Sequence, residues 1–126
     1  MLEFFRSRVR SFRYAFAGWW FVIKTQRNAW IHTAASVLVI LVAVWLKVPA
    51  RDMAILILTI GLVWTAEFLN TALEAVVDLS TPAHHPLARV GKDVGAAAVL
   101  IAALVSDIIG ILILGPPLYQ YVINHF

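Results

Sequence analysis

The stretch MAILILTIGLVWTAEFLNTALEAVV (residues 53–77) decides the fold. It is mostly apolar and longer than the roughly 20 residues that an α-helix needs to cross a bilayer. Inserting a carboxylate near the centre of such a helix costs roughly 2.5 to 3.5 kcal/mol of free energy. The presence of Glu67 and Glu74 therefore indicates a functional role for both. The stretch therefore predicts a membrane-spanning helix that carries a functional acidic face.

Two further apolar runs flank this stretch. The first covers about residues 29–48, and the other covers about 94–114, where the Gly-Pro-Pro sequence at 115–117 is expected to end the helix. Of the 126 residues, 62% are hydrophobic and 13% are charged, and the mean hydropathy is +0.86. We therefore expect one all-α integral membrane domain over residues 1–126, with three spans and short connections.

The N-terminal segment, about residues 2–23, interleaves arginines with aromatic and aliphatic side chains at spacings of three and four. This pattern predicts a basic amphipathic helix on the membrane surface, with its arginines near anionic lipid. A nucleic-acid-binding arm is the less favoured alternative. Basic residues are more numerous here and after the second span than on the opposite side, which has Lys47 and Arg51. The N-terminus is thus predicted to be cytoplasmic and the C-terminus external.

Polar side chains share one face of the second span. At about 100° per residue, Glu67, Glu74 and Asp78 fall within a few tens of degrees of one another, and Asn70 lies about 60° away. A lone buried carboxylate is often structural, but this set has few basic neighbours, which indicates a missing cation. In a chain without cysteine, such oxygen ligands suit Mg²⁺ and the phosphates of a nucleotide. A proton pathway is the alternative, but these polar groups stop about halfway across the membrane.

Other polar residues lie at the same predicted cytoplasmic level. Lys92, beside Asp93, is expected to meet phosphate as a point charge. For His32, a site-facing role and a packing role are both open. His84 and His85 are weak candidates for metal ligands, because adjacent side chains do not point the same way.

Asp107 stands apart from this group, in the outer half of the third span. No basic residue is expected to reach it there. We therefore predict that its carboxyl group is neutral.

The spacing E-x-x-N-x-x-x-E-x-x-x-D from Glu67 to Asp78, followed by Lys92-Asp93, resembles that of the small prokaryotic diacylglycerol kinase family. This family includes the undecaprenol kinases. The likeness covers nearly the whole chain. Upstream, the residues that carry it are Ser11, Phe12, Ala15, Gly18, Asn28 and His32.

The resemblance implies a homotrimer in the bacterial cytoplasmic membrane, with active sites between neighbouring subunits. It implies transfer of phosphate from ATP, with Mg²⁺, to the hydroxyl of a lipid alcohol, such as diacylglycerol to phosphatidate. Glu67 is then the general base, Asn70 positions the reacting groups and Glu74 holds the metal. The implied nucleotide-binding residues are Tyr14, His85, Lys92 and Asp93. The implied supporting residues are Asp78, Asn28 and His32.

Gln26 departs from the family pattern, which typically has a glutamate there as the second carboxylate on the metal. A glutamine oxygen still coordinates Mg²⁺, but without charge, so weaker metal affinity is expected. The open alternatives are an undecaprenol kinase, which His32 and the Asp78-Leu79 pair slightly favour, a weakened family member, and a scaffold that no longer catalyses. The costly buried acids argue against the last of these.

Overall fold

A computed structural model describes residues 1–81 and 84–125. The described chain contains no β-strand and forms four helices, which are α1 (Leu2–Thr25), α2 (Arg27–Trp45), α3 (Ala50–Ser80) and α4 (Pro86–His125). The last three are long and apolar enough to cross a membrane. The prediction of an all-α chain with three such helices is confirmed.

Helices α1 and α2 are separated by a single residue, Gln26. Its backbone is extended (φ −99°, ψ 116°), and its N–H donates a 2.9 Å hydrogen bond to the carbonyl of Val22. Its own carbonyl accepts a 3.2 Å hydrogen bond from the N–H of Ala29. Val22 and Ala29 are buried on either side of this break, so the amphipathic helix passes into the next helix without a loop.

Helix α2 ends in a Schellman turn. The N–H of Lys47 bonds to the carbonyl of Val44, and the N–H of Val48 bonds to that of Ala43, both at 3.1 Å. Lys47 has the left-handed conformation that this turn requires (φ 53°), a position where glycine is the usual residue. Asp52 then lies in the first turn of α3, where a negative charge favours the helix dipole.

Helix α3 is the centre of the molecule, since it packs along α4 and also meets α1 and α2. Most apolar side chains point outward, and few are buried within the single chain. The buried apolar residues are Val22, Ala29, Ala43, Leu56, Val63, Val99 and Ala102. An apolar exterior is what helices in contact with lipid or with further subunits require.

The prediction that residues 115–117 end the third span as a helix was wrong, because α4 continues through Pro116 and Pro117 to His125. A proline removes one backbone hydrogen bond, but its fixed φ is compatible with a helix. The continued segment is held against α2, since the Tyr121 ring centroid lies 4.5 Å from that of Trp45.

The connection between α3 and α4 is short. Helix α3 extends to Ser80, and α4 begins at Pro86, a residue type favoured in the first turn. His85 Nδ1 accepts a 3.2 Å hydrogen bond from the N–H of Leu87 and so caps α4. Lys92 and Asp93 consequently lie on a helix and not in a loop.

Candidate active site

A buried carboxylate lies in the middle of α3. Glu67 is 1% exposed, and its Oε2 has no hydrogen-bond partner among the described residues. The nearest cationic candidate is His32 of α2, whose Nε2 lies 3.8 Å away and is itself buried and unpaired. This distance is too long for a direct hydrogen bond. The carboxylate oxygen is therefore free to accept a proton from a third group.

The next polar residues on the same helix are linked to each other. Asn70 Nδ2 donates a 3.0 Å hydrogen bond to Oε1 of Glu74, one turn further along. Asn70 Oδ1 is buried and has no partner in the described structure. The Asn70 N–H thus orients the half-buried Glu74 carboxylate, which is the kind of oxygen ligand that a hard cation such as Mg²⁺ takes.

Helix α4 approaches α3 closely beside Asn70, because Gly95 of α4 has no side chain. A Cβ atom there would overlap Asn70 Oδ1 and lie 3.1 Å from Leu73 Cδ2. Real Cβ atoms do not approach an oxygen so closely, so any larger residue would displace the Asn70 amide. Gly95 was not singled out from the sequence as a site residue.

A second set of contacts holds α2 against α3 beside His32. Trp64 Nε1 donates a 3.3 Å hydrogen bond to Oγ of Ser36, which in turn donates one of 2.6 Å to the carbonyl of His32. The Trp64 and His32 rings meet edge to face, with centroids 6.3 Å apart. The depth of His32 relative to Glu67 is thus fixed by neighbours on both helices.

The ends of α3 and α4 enclose a pocket of about 610 Å³. Its wall includes Asp78, His85, Lys92 and Asp93, so the structure brings together four of the predicted site residues. Lys92 Nζ lies 2.5 Å from Asp78 Oδ1, and this hydrogen bond raises the pKa of Lys92 above its usual range. Arg89 Nε lies 3.8 Å from Oδ2 of Asp93. Basic side chains at the mouth of a pocket suit a polyphosphate.

Three predicted residues are not joined to the acidic face within the single chain. Tyr14 is 67% exposed on α1, Asn28 is exposed, and Gln26 is half-buried at the break between α1 and α2. In the part of the chain that the structure describes, no hydrogen bond or ion pair links their side chains to Glu67 or Glu74. Within one chain, these three residues therefore lie apart from Glu67 and Glu74.

Asp107 lies on a different cleft, about 520 Å³ in volume, between α2, α3 and α4. Ser106 and Thr59 share its wall, and no ion pair to Asp107 is found within residues 1–81 and 84–125. Its neutral state stays a prediction.

No group of three or more acidic or histidine side chains is assembled as a metal site within the described residues. The paired histidines, His84 and His85, likewise form no such group. Mg²⁺ commonly uses one or two carboxylates and takes its remaining ligands from water and phosphate oxygens. The single carboxylate of Glu74 is therefore compatible with Mg²⁺ that takes its other ligands from water and phosphate.

The chain matches a known protein family and is similar to named kinases of three bacteria. Residues 13–114 match the family described as prokaryotic diacylglycerol kinase. The diacylglycerol kinase of Synechocystis sp. is 47% identical over 114 residues, which are 90% of this chain but only 65% of that protein, so the chain spans less than two thirds of its length. The undecaprenol kinase of Bacillus subtilis is 41% identical over 86% of this chain and 89% of that protein. The diacylglycerol kinase of Escherichia coli K12 is 42% identical over 68% of this chain and 75% of that protein.

Proposed function

The chain belongs to the prokaryotic diacylglycerol kinase family, and on this premise we propose that it transfers the terminal phosphoryl group of ATP to the hydroxyl of a membrane lipid alcohol. The favoured acceptor is diacylglycerol, with phosphatidate as the product. One observation carries the proposal. Glu67 presents a buried carboxylate oxygen without a partner inside a helix that is apolar enough to cross a membrane.

In this mechanism Glu67 is the general base. The lipid hydroxyl gives its proton to Oε2 of Glu67 while its oxygen bonds to the γ-phosphorus, and the bond to the β–γ bridging oxygen breaks to release ADP. Asn70 positions the reacting groups through its hydrogen bond to Glu74. Such in-line transfer depends mainly on positioning and charge stabilisation, so it needs no Gly-rich phosphate loop.

The nucleotide is proposed to enter the pocket between the ends of α3 and α4. Lys92, held there by Asp78, would pair with phosphate oxygens, and His85 and Asp93 would line the same site. Glu74, with Gln26 as a neutral second ligand, would hold Mg²⁺. When bound, this ion supplies positive charge against the phosphates.

Assembly as a homotrimer would complete the site. Tyr14, Gln26 and Asn28 are not joined to the acidic face within one chain, so a neighbouring subunit is proposed to place such residues, Tyr14 in particular, against the nucleotide. The N-terminus would lie in the cytoplasm and the C-terminus outside, in the bacterial cytoplasmic membrane. This orientation puts Asp78 and the pocket on the side where ATP is found.

Undecaprenol is the alternative acceptor. Two observations favour it, namely the similarity to the Bacillus subtilis enzyme over 89% of that protein's length and the histidine placed beside Glu67. The second alternative is a catalytically weakened enzyme, whichever lipid it phosphorylates. Because Gln26 brings no charge to the metal, the enzyme would need more Mg²⁺ than a relative with a glutamate there.

The test is to incubate the purified protein in lipid micelles with ATP labelled at the γ-phosphate, with Mg²⁺, and with diacylglycerol or undecaprenol separately. Labelled phosphatidate is expected, and Glu67→Gln should remove it. If label enters undecaprenol alone, the alternative acceptor replaces diacylglycerol. If neither lipid is labelled at any Mg²⁺ concentration, the chain is not a kinase of these lipids.

A further inference from the structure

His32 Nε2 and Glu67 Oε2 are separated by a distance that one shared hydroxyl group can bridge. His32 Nε2 and Glu67 Oε2 belong to different helices, face each other at 3.8 Å and are both buried without a hydrogen-bond partner in the described structure. The Glu67 side chain is 2% exposed and that of His32 is 14% exposed. Buried polar atoms are rarely left unpaired, so two that face one another indicate a missing shared partner.

We propose that His32 binds the acceptor hydroxyl together with Glu67, and that it orients the oxygen for attack. This inference rests on the proposed function. The hydroxyl donates its proton toward Oε2 of Glu67, and its oxygen accepts a hydrogen bond from the Nε2–H of His32. The remaining lone pair of that oxygen is then directed away from both groups, toward the phosphate.

The distances allow this arrangement. An oxygen about 2.8 Å from both atoms sits at the apex of a triangle whose base is the 3.8 Å separation, with an angle of about 85° at the oxygen. Both atoms are closed to solvent in the single chain, so neighbouring side chains must shift to admit the hydroxyl. A fixed orientation of the attacking oxygen is one of the larger contributions that an enzyme makes to such a reaction.

His32 is also the residue at which the cleft between α2, α3 and α4 begins. The cleft is lined mainly by aliphatic side chains, and Leu38 and Ile111 on its wall are exposed. A hydroxyl at the end of a hydrocarbon chain can therefore reach His32 from the apolar side of the protein. The nucleotide would approach the same site from the other side, through the pocket that contains Lys92.

A purely structural role for His32 predicts a different outcome for substitutions. The ring packs against Trp64, so a phenylalanine would preserve the packing and remove the N–H. A glutamine would lose the ring and keep an N–H at a similar depth. The two variants therefore separate ring packing from hydrogen bonding.

The experiment measures kcat and KM for lipid and for ATP in the wild type, His32→Phe, His32→Gln and a control, Thr33→Val. Thr33 is the neighbouring residue on α2, and its hydroxyl bonds only to its own helix, at the carbonyl of Ala29. His32→Phe is expected to lower kcat/KM for the lipid by about tenfold to a hundredfold with the KM for ATP unchanged. His32→Gln should retain most of the wild-type value, and Thr33→Val should match it.

The inference is overturned if His32→Phe equals the wild type, or if it changes the lipid and ATP parameters equally. Should His32→Phe fail to fold, His32→Asn replaces it, because the shorter amide does not reach the position of Nε2. His32→Asn should then lose activity where His32→Gln keeps it, and equal activity of the two would refute the role. An inactive wild type would instead contradict the proposed function itself.

Discussion

Gly95 of α4 lies so close to Asn70 of α3 that a methyl group on its Cα would overlap the amide oxygen. The substitution Gly95→Ala should therefore push the Asn70 amide away from Glu74. We expect kcat to fall by about tenfold or more, even though alanine is the better helix former by about 1 kcal/mol. Steady-state kinetics measure the loss.

The control for this prediction is Gly91→Ala in the same helix. A Cβ there would lie 3.9 Å from Val77 Cγ2, an ordinary contact. Gly91→Ala should keep activity within about twofold of the wild type, since it gains the same helix propensity without a clash. If both variants lost activity equally, the effect would lie in α4 as a whole and not in the position of Asn70.

Removing the proposed base should affect activity and stability in opposite ways. Glu67→Gln keeps the shape of the side chain, and kcat should fall by about 10²- to 10⁴-fold, the usual contribution of a positioned base. Thermal stability in micelles should be equal or higher, because the carboxylate it replaces is buried without a hydrogen bond. A Glu67→Gln variant that was inactive because it was unfolded would not support the assignment.

Gln26 is expected to set the Mg²⁺ requirement. Gln26→Glu adds a negative charge to the proposed metal site, so the Mg²⁺ concentration that gives half-maximal activity should fall several-fold. Binding of Mn²⁺ in the presence of a non-hydrolysable ATP analogue, followed by electron paramagnetic resonance, gives a readout independent of turnover. Unchanged Mg²⁺ dependence and unchanged Mn²⁺ affinity would show that residue 26 is not a ligand.

Lys92 should act on nucleotide binding and not on the lipid. Lys92→Gln is expected to raise the KM for ATP by about tenfold, with the KM for the lipid unchanged. The hydrogen bond to Asp78 raises the pKa of Lys92, so its charged form persists to higher pH. Lys92 should therefore stay charged between pH 7 and pH 9, so its titration should not change the KM for ATP over this range. A lipid KM that rose with the ATP KM would argue against this division.

Stability should respond to a position far from the candidate site. Lys47 adopts the left-handed conformation at the end of α2, which costs a non-glycine residue roughly 1 kcal/mol. Lys47→Gly should raise the free energy of unfolding by up to about 1 kcal/mol and leave kinetics unchanged. Denaturation in mixed micelles would measure the gain, and a loss of stability would contradict it.

The sequence was sufficient for the features that depend on one helix at a time. The apolar run of α3 is long enough to identify by composition, and the helical repeat alone puts Glu67 and Glu74 on one face. The hydrogen bond between Asn70 and Glu74 follows from their separation of four residues.

Features that depend on two helices could not be predicted in the same way. The close approach at Gly95 and the hydrogen bond from Trp64 to Ser36 exist only once α4 and α2 are packed against α3. The small residues that follow Gly95 were the available signal of close packing. The helix end expected at residues 115–117 was wrong for the same reason, because the contact between Tyr121 and Trp45 is tertiary.

A single residue, Gln26, joins α1 to α2, so its two backbone dihedrals act as the pivot of a long lever. At 1.5 Å per residue, Tyr14 lies about 18 Å from that pivot, and a 10° rotation there would swing it by about 3 Å. A metal held by the Gln26 side chain, as proposed above, would therefore also influence where α1 places Tyr14.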